Sequence, residues 1–152
     1  MNKKVCSFTG HRIIENTYEV KEKLKKLIIE LIEDGYLEFY NGGAIGFDFL
    51  SAITVIELKK EYDIKLNLIL PCKNQDLKWN NYNKKIYRYI IDNCDSLEYI
   101  SEEYNNFCMH QRNRALCERC DLLVAYLKRN YGGTYYTVEY AKKTGKRLIN
   151  IT

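Results

Sequence analysis

A three-layer α/β domain, with a mainly parallel sheet of about six strands and helices on both faces, is the fold class this sequence predicts. Three observations lead there. Short β-rich runs alternate with longer segments of helical period to the last residue. The strand runs are apolar, as strands covered on both faces must be. Glycine-rich loops stand where strands hand over to helices. The result is a Rossmann-like domain, and 152 residues with 46% hydrophobic content suffice for one such unit and not comfortably for two. One domain over residues 1–152 is expected, with no internal repeat, linker or low-complexity segment.

The elements follow in order. Val5 to Thr9 reads as the first strand. From Thr17, apolar residues at Val20, Leu24, Leu27, Ile28, Leu31 and Ile32 repeat at helical spacing, and Gly35 stands where a helix stop belongs. Leu37 to Tyr40 is a second strand, followed by the loop Asn41-Gly42-Gly43-Ala44-Ile45-Gly46 and a helix through Phe49, Ala52, Ile53, Ile56 and Leu58. Ile64 to Leu70 is a third strand, closed by Pro71, the only proline, and a polar turn through Gln75. A helix from about Asn80 to Asn93, a strand from Leu97 to Ile100, a helix from Phe107 to Arg119 and a strongly apolar strand from Leu122 to Leu127 come next. Gly132-Gly133 then precedes a helix from Thr134 to Lys143, stopped by Gly145, and a last strand from Arg147 to Ile151.

Composition narrows the function classes. The net charge of +4 arises from 24 basic and 20 acidic residues spread along the chain, without the dense Lys/Arg block of a nucleic-acid-binding arm. That balance admits an anionic ligand without requiring one. Met1-Asn2-Lys3-Lys4 is basic, but the apolar stretch after it ends at Phe8, too short for a secretory core, and no run reaches membrane-spanning length. A cytoplasmic protein with no membrane partner is expected, its six cysteines reduced and most of them serving as small apolar residues. The fourteen tyrosines reflect either stacking surfaces or the coding bias that also enriches Lys, Asn and Ile.

In open parallel sheets ligands bind outside the carboxyl ends of the strands, so the strand-to-helix loops are the places to look. Four carry unusual residues: Thr9-Gly10-His11-Arg12, Gly42 to Asp48, Pro71 to Gln75, and Tyr131 to Thr134. Glycines 42, 43 and 46 stand between a strand and a helix, where bare backbone can approach a phosphate. Their G-G-x-x-G spacing satisfies neither the dinucleotide fingerprint nor the Walker motif, and a tight turn for close helix packing explains them equally well. Asp48 is either a dipole-favoured first-turn acid or an acceptor for a ribose or the loop. Gly132-Gly133 repeats the device, with Thr134 able to cap the next helix while its hydroxyl faces a ligand. Two such loops favour an elongated anionic ligand. Cys108, His110, Cys117 and Cys120 invite a zinc reading, but Cys108 and His110 are two apart on a helix and diverge, so no metal is expected. Arg112 or Arg114 could reach the sheet's carboxyl edge and pair with phosphate. Glu139, if its face turns toward the ligand, is a candidate acid or base.

Six motifs taken together, CSFTGHR, GGAIGFD, LPCKNQ followed by Trp79, CMHQRNRAL, CDLLVAYL and GGTYYTVEYA, resemble in order and spacing the YpsA-like branch of the SLOG superfamily over nearly the whole chain. The resemblance implies a Rossmann-like fold that binds nucleotides or nucleotide-derived ligands of ADP-ribose type. The sister LOG-type phosphoribohydrolases carry M-x-x-R-K and P-G-G-x-G-T-x-x-E motifs. Met109 to Asn113 is similar to the first, with Asn113 for Lys, and Gly132 to Glu139 to the second, with Tyr135-Tyr136 for the inner Gly-Thr. DprA, another relative, binds single-stranded DNA, but the expected basic stripe is not visible, so nucleic acid is not the expected partner.

The expectation is therefore a sensor or sequestering protein for a nucleotide-type small molecule, an ADP-ribose-type or cyclic nucleotide signal, with no further cofactor. Its ligand-binding residues would be Thr9, Gly10, His11, Arg12, Gly42, Gly43, Gly46, Asp48, Arg112, Gly132, Gly133 and Thr134. The alternative is a nucleotide N-glycosidase in which Glu139 polarises the ribose or activates water and Arg112 holds phosphate. Related folds pair through helices, which makes a homodimer the expected assembly.

Overall fold

The computed structural model describes residues 4–152; the basic start Met1-Asn2-Lys3 lies outside them. Six parallel strands form one sheet: β1 (Lys4–Gly10), β2 (Tyr36–Asn41), β3 (Lys65–Cys72), β4 (Ser96–Ser101), β5 (Leu122–Tyr126) and β6 (Arg147–Asn150), in the order β4-β3-β2-β1-β5-β6. Five helices make the crossovers: α1 (Thr17–Glu33), α2 (Phe47–Leu58), α3 (Asn81–Asp92), α4 (Cys108–Arg119) and α5 (Gly133–Lys143). Helices α1 to α3 pack side by side on one face, and α4 and α5 cover the other. The three-layer reading of the sequence holds, with a sheet that is entirely parallel.

Burial follows from that layering. Every residue of β5 is buried, as is Cys6 to Thr9 of β1, because both central strands have helices above and below. The larger core lies under α1 to α3, where Phe8 sits between Phe39, 6.0 Å away and stacked, and Phe47, 6.3 Å away and edge-on. A smaller core of Cys117, Cys120, Leu123, Ala125, Val138 and Ala141 fills the space beneath α4 and α5. Cys117 donates to the Thr137 carbonyl at 3.4 Å, and burial pushes its thiol up to about 12. Strand β4 is the sheet edge and correspondingly exposed.

Most element bounds shift by one or two residues, and three of the shifts have a plain physical reason. Pro71 does not close β3 but lies inside it; β2 stops pairing at Leu68, so the missing N–H breaks no rung of that ladder. Strand β5 ends at Tyr126 rather than Leu127, whose N–H is taken by the Asn150 side chain at 3.1 Å. Helix α5 begins at Gly133 with Gly132 as its N-cap, so Thr134 stands in the first turn and does not cap.

The chain proceeds from β1 outward to β4, then returns to place β5 on the other side of β1. The sheet thus reverses between β1 and β5, and a crevice opens outside their carboxyl ends. Truncating the ring at the centre of this arrangement, Phe8→Ala, is expected to lower stability by about 3–5 kcal/mol in denaturant unfolding, with no change in the far-ultraviolet spectrum of the folded protein.

Candidate functional site

The crevice at the β1/β5 reversal holds a cleft of about 310 Å³. Its floor is the end of β1. Gly10 is tied here by packing: a Cβ on it would stand 2.5 Å from the Phe47 ring. Beyond it, His11 joins three segments. Its N–H reaches the Tyr126 carbonyl at 3.3 Å, its carbonyl accepts from Phe47 N–H at 3.1 Å, and its ring Nε2 accepts from Lys128 N–H at 2.9 Å. Because Nε2 accepts, the ring proton sits on Nδ1, a buried donor with no partner among the described residues. Burial and nearby Arg129 both lower the His11 pKa, so the ring is neutral at pH 7. His11 is a wall residue whose ring already serves the fold.

One wall comes from α4. Met109, Arg112, Asn113 and Leu116 line the cleft together, the i, i+3, i+4, i+7 face of a helix. Arg112 is the buried member. Its Nη1 donates to the Gly42 carbonyl at 2.6 Å and to Gln75 Oε1 at 3.4 Å, and its Nε to Asn113 Oδ1 at 2.8 Å. Arg114 faces the other way, its guanidinium 5.0 Å from the centre of the Tyr140 ring.

The opposite wall is the start of α2. Asp48 is only 5% exposed; its Oδ2 accepts from Ala44 N–H at 3.1 Å, while Oδ1 is buried with no partner among the described residues. Burial raises its pKa from 3.8 to about 6, opposed by Arg112, the Ala44 N–H and Arg12. The start of α5 closes the cleft. Gly133 and Thr134 line it, and the first amides of an α-helix have no intrahelical acceptor. Arg12 and Arg129 stand exposed at the rim without an ion pair among the described residues.

The structure therefore gathers Thr9, Gly10, His11, Arg12, Asp48, Arg112, Gly133 and Thr134 around one cleft, and leaves the other expected residues outside its walls. In the first glycine loop the missing side chains make room for protein atoms. A Cβ on Gly42 would stand 2.8 Å from Arg112 Cδ, and one on Gly43 2.6 Å from Leu70 Cδ2. Gly46, at φ 90°, would meet the Arg12 carbonyl oxygen at 2.3 Å. Gly132 is the α5 N-cap, just behind the wall. Glu139 is not brought to Arg112. Six residues after Gly133 the helix has turned by roughly 240° from the cleft-facing position, and Glu139 lies in a separate groove of about 200 Å³ between α4 and α5, 3.3 Å from Lys142. Lining residues beyond the expected ligand contacts are Ile13 next to the first selected loop and Ala44 within the second, Met109, Asn113 and Leu116, recoverable from their helical spacing about Arg112, and Arg129, to which no local pattern points.

The family model YpsA, described as the YspA SLOG family, matches residues 10–151. This chain belongs to that family. A UPF0398 protein of Bacillus cereus is 29% identical over 158 residues, covering 94% of this chain and 85% of that protein. One of Bacillus pumilus is 32% identical over 127 residues, covering 81% and 68%. Among solved structures, DNA processing protein A of Streptococcus pneumoniae superimposes with a TM-score of 0.71 at 18% identity over 96% of this chain, and that of Helicobacter pylori with 0.72 at 20% over 95%. The chain spans 49% and 63% of those two proteins. TM1055 follows at 0.61 and 18%, with 95% of this chain and 72% of that one covered. At these identities the structural likenesses speak to fold. No helix among the described residues is long and apolar enough to cross a membrane.

The buried carboxylate has a measurable signature. Ionising Asp48 is easier in the unfolded chain than in the fold, so its contribution falls as pH rises from 3.8 through about 6. A change of that size is worth about 3 kcal/mol at most. Asp48→Asn, which keeps an acceptor for Ala44, is expected to gain stability over the parent at pH 8 and to match it below pH 4, read by denaturant unfolding across that range. An unchanged difference between pH 4 and pH 8 would contradict a buried carboxylate of this kind.

Proposed function

We propose that the β1/β5 cleft binds a nucleotide or nucleotide-derived ligand, of ADP-ribose or cyclic-nucleotide type, and that the protein acts as a sensor or sequestering protein for it. The observation that carries the reading is Asp48, which lines a cleft whose rim is cationic and whose far wall is a helix N-terminus, and whose buried Oδ1 has no partner among the described residues. A phosphate suits Arg12, Arg129 and the α5 amides. A ribose hydroxyl suits Asp48, whose Oδ1 needs a donor that none of the described residues gives it. Hydrolysis by Glu139 with Arg112 is the weaker alternative, because these side chains lie in different grooves and Arg112 is held by Gly42, Gln75 and Asn113.

One observation favours a second reading. Exposed Tyr104 and Tyr131 stand on the loops of this sheet edge with Arg12, Lys78 and Arg129, cations and aromatic faces in the mixture that single strands use. One structural neighbour, from Helicobacter pylori, is described by its single-stranded DNA binding mode. Linear sequence scatters these side chains, which is why no basic stripe is visible in it.

Thermal unfolding with AMP, cyclic nucleotides, ADP-ribose and a short single-stranded oligonucleotide separates the two. On the leading reading a small nucleotide at 100 times its Kd stabilises the protein by about 2.7 kcal/mol, and Arg129→Ala weakens that binding about tenfold, the scale of one charge-assisted hydrogen bond. If only the oligonucleotide binds, with an affinity that falls steeply with salt, the single-strand reading replaces it. Base release from AMP that persists in Glu139→Gln would exclude the hydrolase assignment to that residue.

A further inference from the structure

A second cleft, of about 610 Å³, adjoins the first and shares Arg12 and Met109 with it. It lies between the loop leading from β3 to α3 and the loop leading from β4 to α4. Its lining differs in kind. The first cleft offers helix amides and a carboxylate beside its cations; the second also has cations, Arg12 and Lys78, but sets Leu77, Trp79, Tyr104 and Met109 and the amides of Asn74 and Gln75 beside them.

The walls are braced before any ligand arrives. Trp79 is wedged edge-on against Phe49 at 5.7 Å and Tyr87 at 5.1 Å. The two loops are tied to each other by Lys73 N–H to the Glu102 carbonyl at 3.2 Å and by Tyr104 N–H to Asn74 Oδ1 at 3.2 Å. The latter bond fixes the Asn74 amide so that its NH₂ is left as a donor with no partner among the described residues. Gln75 donates to the Tyr87 hydroxyl at 3.1 Å and accepts from Arg112, linking this wall to the buried arginine behind the first cleft. On these braced loops Leu77 and Tyr104 remain 63% and 62% exposed. Apolar side chains held out on a rigid, otherwise polar rim are available for contact with a flat ligand.

Resting on the nucleotide reading of the first cleft, we propose that the second cleft is its nucleobase subsite. The base packs between Tyr104 and Leu77 over the Trp79 side of the cleft, Asn74 donates to an acceptor on the base edge, and the ribose and phosphate pass Arg12 and Met109 into the β1/β5 crevice. The ligand class is then one with a base at one end and a phosphate at the other, and affinity divides between the two clefts along it.

Calorimetric titration tests this with ribose 5-phosphate and the four 5′-mononucleotides AMP, GMP, CMP and UMP, on the parent, on the double variant Leu77→Ala/Tyr104→Ala, and on Arg129→Ala. Both residues of the double variant are exposed, so the fold is retained, and Trp79 is left in place because it packs against Phe49 and Tyr87. The expected result is that at least one mononucleotide binds the parent tenfold or more tighter than ribose 5-phosphate. The double variant loses that advantage about tenfold, as for removal of a base-stacking partner, while its affinity for ribose 5-phosphate is unchanged. Arg129→Ala weakens both ligands alike. Mononucleotides that bind no tighter than ribose 5-phosphate, or as tightly to the double variant as to the parent, overturn the subsite and leave the first cleft's reading standing. Absence of binding by all five ligands and, in the same titration, by ADP-ribose and cyclic AMP overturns both.

Discussion

A cation buried in the second layer of this fold organises the functional edge. Arg112 is 5% exposed, and desolvation lowers its pKa; such a group persists in a core only if its donors are satisfied and an opposite charge is near. The Gly42 carbonyl, Gln75, Asn113 and the field of Asp48 meet those conditions. Each comes from a different part of the chain: the loop after β2, the loop after β3, α4 itself and the start of α2. One guanidinium therefore holds two strand-to-helix loops, those after β2 and β3, against α4 at the carboxyl edge of the sheet. It also explains why position 42 carries glycine, since the arginine stem occupies the space a side chain would need.

Much of the architecture was legible because it is written in local terms. The central strands are apolar runs bounded by glycine or polar turns, α1 shows its buried face at helical spacing, and parallel order follows from the alternation. The misplaced boundaries have non-local causes. Leu127 is as apolar as the strand before it, yet its amide goes to Asn150, twenty-three residues on. Pro71 sits within β3 because its neighbour β2 has already stopped pairing, a fact about another segment. The α5 cap went to Gly132 and not to the better side-chain capper Thr134, since the glycine's φ of 93° suits the turn into the helix.

The site was legible in outline and not in detail for a related reason. Topology alone says that ligands meet the loops at the carboxyl ends of the strands, and the first, second and last of the four selected loops do meet at one cleft, the second through Ala44 and Asp48. Residue type does not say what fills the space a glycine vacates. Gly42, Gly43 and Gly46 and the pair Gly132-Gly133 look like two uses of one device, but the first set admits Arg112, Leu70 and the Arg12 backbone, and only the second set lies open to the cleft through Gly133. Likewise, the spacing of Glu139 from the glycines fixes its angle around α5 only once the helix start is known. Starting at Gly133, that angle points away from Arg112 and toward the groove with Tyr140 and Lys143.

Asp48 then constrains what the cleft can accept. Its ionised form is costly where it stands, since Oδ2 has one amide, Oδ1 has none, and Arg112 directs its hydrogen bonds elsewhere. A bare anion drawn in by Arg12, Arg129 and the α5 amides would add a like charge across from that carboxylate and raise the cost further. A ligand that brings hydroxyl donors together with its negative charge removes the difficulty, by giving Oδ1 a proton to accept while the phosphate stays on the cationic side. On the proposed reading the cleft would therefore discriminate by more than charge: a sugar phosphate would satisfy both walls, inorganic phosphate only one.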